Sequence, residues 1–118
     1  IDIALDPFPF CGGTTTCDAV WMGIPMVSHY GEALMSRAGL SVLSIIGHPE
    51  WAHSTLEGYV DCAVDLASDV DRLNQIRLSL RGDVERSALM DYKDFSRELA
   101  ESFGSMWRDY VKSQGGEK

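Results

Sequence analysis

Two short apolar runs, IDIAL (1–5) and PMVSH (25–29), bracket a segment with the pattern of a single helix. Both read as strands, the first ended by Pro7 and Pro9 and the second opened by Pro25. Between them Thr15 to about Met22, TTCDAVWM, reads as a helix with Gly23 as its stop. Strand, helix and strand within about 28 residues make a βαβ unit, which sets the two strands parallel. Sheets of this kind bind ligands outside the carboxyl ends of their strands. At that end the first strand runs into DPFPFCGGTTTCD (6–18) and the second into HYGEALMSR (29–37). Two segments distant in sequence are thereby predicted to meet on one rim.

The rest of the chain reads as helices. Leu34 to Ile46 carries a helical apolar pattern ending at Gly47, and HPEWAHS (48–54) is a connector. Leu56 to Ala67 presents Leu56, Val60, Ala63, Val64 and Ala67 as one stripe. Ser68 is placed to cap the next helix, where Val70, Leu73, Ile76 and Leu80 recur at helical spacing. Asp91 is placed to cap a last helix with the stripe Phe95, Leu99, Phe103, Met106, Trp107 and Tyr110. That stripe is expected to be core or interface, with the Trp107 and Tyr110 face partly exposed. The expected class is α/β, with short parallel strands followed by a mostly helical C-terminal half. A two-stranded parallel sheet does not stand alone, and the sequence opens on Ile1 rather than Met. The expectation is a fragment of a longer protein.

Charge and cysteine content narrow the function classes. The 118 residues carry 18 acidic against 10 basic side chains, a formal charge of −8. Nucleic-acid binding needs a basic stripe, and none is present, so no nucleic-acid partner is expected. No apolar run is long enough for a membrane span, and no signal segment is present. Cys11, Cys17 and Cys62 are odd in number and form no CxxC pair; neither a disulfide framework nor a zinc site is expected, and reduced thiols imply a cytoplasmic protein. A reactive thiol at Cys11 or Cys17 is a weaker reading than a buried or incidental one.

The CGGTTTCD stretch (11–18) carries the chemistry. Gly12 and Gly13 adopt positive φ without steric cost and let a ligand approach the backbone. The first N–H groups of the following helix have no intrahelical partner, and the macrodipole places roughly half a positive charge there. Gly-Gly, hydroxyls and a helix start together form an anion cradle. Thr14 and Thr15 offer hydroxyls to phosphate oxygens. Asp18, one turn in, is placed for sugar hydroxyls, which are donors a carboxylate accepts. A plain capping box competes with this reading, with Thr15 as N-cap and Asp18 reaching back. The stretch is neither a Walker loop nor G-x-G-x-x-G. Glu32, 20 residues after Gly12, has the spacing of a ribose-binding acid, a weak signal without a third glycine.

The combination of DPFPF, GGTTTCDAVWMGIP and GEALMSR resembles the C-terminal part of the O-GlcNAc transferase family, including bacterial members with tetratricopeptide repeats and the plant SPINDLY proteins. The dense likeness runs from about Asp2 to Trp51 and a looser one to about Val111. The resemblance implies a two-lobed GT-B (Rossmann-like) glycosyltransferase. Residues 1–112 would be the C-terminal portion of its nucleotide-sugar-binding lobe and 113–118 a disordered tail. It further implies transfer of a sugar, with inversion and without a metal or other cofactor, from UDP-GlcNAc or a related donor to protein Ser or Thr hydroxyls. Gly12, Gly13, Thr14, Thr15 and Asp18 are the nucleotide-sugar-binding candidates, Thr14 and Thr15 on the diphosphate and Asp18 on the ribose. The family's acid–base groups and acceptor groove would lie upstream, so no catalytic residue is assigned here and the chain alone is not expected to turn over. Animal members carry His where Gly13 stands, which leaves the donor open between UDP-GlcNAc and the GDP-fucose implied by the SPINDLY branch. A lobe that binds nucleotide or phosphate without chemistry is the alternative.

Around this loop, Ser36 and Arg37 have two readings: as braces of the donor loop, or, the favoured one, with Arg37 pairing Glu32 or Asp18 and only fixing the loops. Phe10 reads as packing, with a place beside the sugar as the other reading. His29 ends its strand on the rim, in reach of phosphate or of an acid–base role. His48 and His53 lack the spacing of metal ligands.

Overall fold

The computed structural model describes Ile1–Gly115. Strand β1 (Ala4–Leu5) lies beside β2 (Met26–His29), and β2 beside β3 (Ala52–His53), in the order β1-β2-β3. Both pairings are parallel, with Ala4 opposite Met26 and Ser28 opposite Ala52. The expected parallel pair is therefore present, and the connector supplies a third strand that the sequence reading missed. Pro49–Trp51 form a 3₁₀ turn that carries the chain onto the free edge of β2, where Tyr30 N–H donates to the His53 carbonyl at 2.9 Å.

Met26, Val27 and Ser28 are all buried. Successive side chains of a strand face opposite sides, so β2 is covered on both faces, as a central parallel strand must be. The covering helices are α1 (Thr14–Trp21), α2 (Ala38–Ile45) and α3 (Leu56–Ser68). Helix α4 (Val70–Arg86) packs on α1 and α3. Val20, Val27, Leu43, Trp51, Leu66 and Leu80 form the centre of one core.

Glycine ends both helices where the sequence predicts. Gly23 has φ 71°, its N–H donates to Val20, and Ile24 N–H reaches back to Ala19 at 2.9 Å. The same pair of bonds recurs at Gly47 and His48 after α2. Each is a Schellman closure, which satisfies carbonyls that the helix end leaves open.

Other boundaries differ. The helix expected over Leu34–Ile46 is a 3₁₀ turn (Leu34–Ser36) followed by α2. Asp69, not Ser68, caps α4, accepting from Arg72 N–H at 2.9 Å. Ser68 instead turns back to the Asp65 carbonyl. The buried side of α3 is also rotated from the expected stripe. Tyr59, Cys62, Ala63 and Leu66 face the core, while Leu56, Val60 and Val64 are exposed. Both sets satisfy helical spacing. Leu66 in the core and the bond from the Tyr59 hydroxyl to Asp6 decide between them.

Helix α5 (Tyr92–Gly115) is capped by Asp91, as expected, through the Asp94 N–H at 3.0 Å. Its apolar stripe is exposed along its whole length rather than in part. The helix runs through Ser113–Gly115, where the tail was expected to begin; residues 116–118 of that tail lie outside the described residues.

Candidate functional site

The two segments predicted to share a rim do meet. Cys11 N–H donates to the Met35 carbonyl at 3.0 Å. The rings of Phe8 and His29 lie 4.3 Å apart, centroid to centroid. The second segment is braced internally. Ser36 Oγ accepts from Gly31 N–H at 3.1 Å and donates to Ala33 O at 2.7 Å. Arg37 Nη1 donates to Gly31 O at 3.1 Å, and its guanidinium lies over the Tyr30 ring. Arg37 therefore holds the loop as a brace, but through a carbonyl: among the described residues it pairs with neither Glu32 nor Asp18.

Helix α1 starts one residue earlier than expected. Its N-cap is Gly13, which has no side chain to offer, so the Thr15 capping box is not formed. Cys17 N–H closes the first intrahelical bond, to Gly13 O at 3.1 Å. Among the described residues no protein acceptor meets the N–H groups of Gly13, Thr14, Thr15 or Thr16. Four consecutive amides thus stand open at the positive end of the helix. Thr14, Thr15 and Asp18 are exposed beside them.

The double glycine has a different basis from the one expected. Neither Gly12 nor Gly13 has positive φ. At Gly12 the demand is close approach: a Cβ there would stand 2.6 Å from Thr15 Oγ1 and 2.7 Å from Thr16 Oγ1. Its amide is also not free, because it donates to Asp6 Oδ1 at 2.8 Å. Gly13 faces open space.

Asp6, which the sequence reading passed over, lies beneath the loop and is 1% exposed. Its other oxygen accepts from the Ser28 hydroxyl at 2.7 Å. Thr16 is fully buried, and its Oγ1 has no partner among the described residues. The sequence signal for Asp6 was an acid immediately after a strand and before Pro7, on the ligand side of a parallel sheet.

The remaining candidates separate. Phe10 is 69% exposed, against the expectation of a packed side chain. His29 Nδ1 donates to the His53 carbonyl at 3.1 Å, since a carbonyl only accepts, which leaves Nε2 for other partners. His48 is spent on Glu50 and Asp83, at 3.0 and 3.3 Å, and stacks flat on Trp51. Burial pushes the Cys11 and Cys17 thiols up, away from the thiolate a nucleophile needs.

The fold is that of a parallel α/β lobe with an open helix N-terminus on the carboxyl rim of its sheet, the rim on which sheets of this kind bind ligands. The chain belongs to glycosyl transferase family 41, whose model matches residues 1–99. It is 39% identical over 110 residues to the probable UDP-N-acetylglucosamine–peptide N-acetylglucosaminyltransferase SPINDLY of Oryza sativa subsp. japonica, covering 93% of this chain and 12% of that protein. It is 37% identical over 110 residues to the UDP-N-acetylglucosamine–peptide N-acetylglucosaminyltransferase of Caenorhabditis elegans, covering 92% of this chain and 10% of that one. Among solved structures, an O-GlcNAc transferase mutant from Thermobaculum terrenum matches with a TM-score of 0.86 at 36% identity, covering 97% of this chain and 22% of that one. The chain thus spans only about a tenth of the length of the two sequence relatives. The expected fold class, α/β and the C-terminal portion of a GT-B lobe, stands.

Proposed function

We propose that this chain is the C-terminal part of the donor-binding lobe of a protein O-glycosyltransferase. The donor is UDP-GlcNAc or a close relative, and the acceptors are Ser or Thr hydroxyls. The observation that carries the reading is the run of open amides from Gly13 to Thr16 at the start of α1. The names of the rice and nematode relatives point to the same donor.

In this reading the Thr14 and Thr15 hydroxyls and the open amides hold the diphosphate, and the Asp18 carboxylate accepts from the ribose hydroxyls. As the bond from sugar to phosphate breaks with inversion, negative charge gathers on the departing diphosphate. Fixed N–H and O–H donors stabilise that charge without having to reorient. Gly12 contributes space rather than an amide. The acid–base groups and the acceptor site belong to other parts of the polypeptide, where tetratricopeptide repeats would receive protein acceptors. A cytoplasmic location and chemistry without a metal complete the proposal.

The test is donor binding and transfer by the full-length polypeptide, with UDP-GlcNAc and GDP-fucose compared. A hydrogen bond to a charged group is worth about 1.5–3 kcal/mol, so Thr15→Val should lower kcat/KM for the donor by roughly ten- to hundred-fold. Wild-type kcat/KM in that variant overturns the proposal. Nucleotide binding with no transfer to any protein would make the chain part of a binding lobe instead.

A further inference from the structure

We infer that Asp6 is the positioning residue of the anion cradle, its buried carboxylate setting the direction in which the open amides of α1 point. The inference rests on the diphosphate reading proposed above.

Asp6 stands where β1 ends, and four bonds fix it. Its N–H donates to Val27 O at 2.9 Å, and its own carbonyl accepts from the Tyr59 hydroxyl at 3.2 Å. Its carboxylate takes the Ser28 hydroxyl at 2.7 Å and the Gly12 N–H at 2.8 Å. Three of these bonds tie Asp6 to β2 and α3, which pack on one another in the core. Only the fourth reaches the loop.

That fourth bond falls at a telling point in the chain. Going from Pro7 towards α1, the loop's amides are held by protein at Cys11 and then at Gly12. From Gly13 to Thr16 none is held. The grip of Asp6 is thus the last protein bond before the cradle, and it sets the direction of every amide that follows. The missing Cβ at Gly12, which would press on the Thr15 and Thr16 hydroxyls, lets the loop come down to the carboxylate.

The chemistry separates positioning from mere stabilisation. Asn at this position would keep an oxygen on Gly12 and turn its NH₂ towards Ser28. The Ser28 hydroxyl can then accept, and its proton has Cys11 Sγ at 3.9 Å as an alternative partner. Gly12 N–H has no such freedom.

Donor KM and kcat, measured with UDP-GlcNAc on the full-length polypeptide, test this, with thermal melts alongside. Asp6→Ala should raise donor KM at least ten-fold, with a smaller change in kcat. Asp6→Asn should stay within about three-fold of wild type. Ser28→Ala cuts the other carboxylate bond and leaves Gly12 tied, so it should lower the melting temperature but keep donor KM within about three-fold. If Asp6→Ala fails to fold, Asp6→Ser carries the same expectation, because its hydroxyl can pair with Ser28 but is too short to reach Gly12. Wild-type donor KM in Asp6→Ala or Asp6→Ser, or an equal rise in Ser28→Ala, overturns the inference. Thr15→Val separates the two proposals. If it lowers donor kcat/KM while Asp6→Ala leaves donor KM unchanged, only the role of Asp6 falls. If Thr15→Val leaves donor kcat/KM unchanged, the cradle falls and the inference with it.

Discussion

Gly23→Ala is expected to loosen the seat of α1 far more than Gly47→Ala loosens that of α2. Both glycines close a helix with positive φ, 71° and 89°. An L residue in that region costs roughly 1–2 kcal/mol, offset by about 0.4–1 kcal/mol from the stiffer unfolded chain. At Gly47 that is the whole account, since an added Cβ meets nothing within 4 Å. At Gly23 the Cβ would stand 2.6 Å from the Arg77 carbonyl oxygen. Backbone cannot rotate away as a side chain can, so α4 would have to move off α1. Overpacking of this kind adds roughly 1–3 kcal/mol. The difference between the two variants is therefore that steric part, about five- to 150-fold in an opening equilibrium. Hydrogen exchange of the β2 amides, followed in the full-length polypeptide, reads it directly. Equal acceleration in the two variants would refute the idea that α4 backbone sets the position of α1.

Further expectations concern single contacts. Asp69→Ala should cost about 1 kcal/mol through loss of the α4 cap, and Ser68→Ala much less, as measured by denaturant unfolding. Burial raises the thiols of Cys11, Cys17 and Cys62 above their ordinary value of 9.0, and that of the Tyr59 phenol above 10.0. Groups raised in the folded state favour folding fully below their ordinary values and lose that contribution as pH climbs through the folded ones. Stability should therefore decline on the alkaline side, from about pH 9 upwards, and a Cys62→Ser variant should show a shallower decline. Asp18→Asn should weaken UDP-GlcNAc binding several-fold while leaving inorganic phosphate binding at α1 unchanged, since Asp18 is assigned to the ribose; titration calorimetry separates the two.

The features legible in the sequence are those whose cause is local. Gly23 and Gly47 end helices because of their own backbone freedom, and Asp91 caps α5 three residues away. The parallel pairing of β1 and β2 follows from handedness and spacing alone. What escaped depends on distant partners. β3 is two residues long, and only the open edge of β2 makes Ala52 and His53 a strand. The face of α3 is chosen by Asp6, 53 positions before Tyr59. At the site, the open helix start could be read from Gly-Gly and the threonines, but the reason for Gly12 could not. That reason is a carboxylate brought near by the sheet and two hydroxyls carried on the next helical turn.

Every buried hydrophobic side chain of the described chain falls between Cys11 and Val84. Helix α5 adds 24 residues, and an apolar flank, without contributing to that interior. At 1.5 Å per residue it forms a rod of about 36 Å. Within the described residues α5 is therefore an arm set apart from the packed interior. Trimming the chain after Asp91 would leave the interior whole and remove the surface most prone to stick to other molecules.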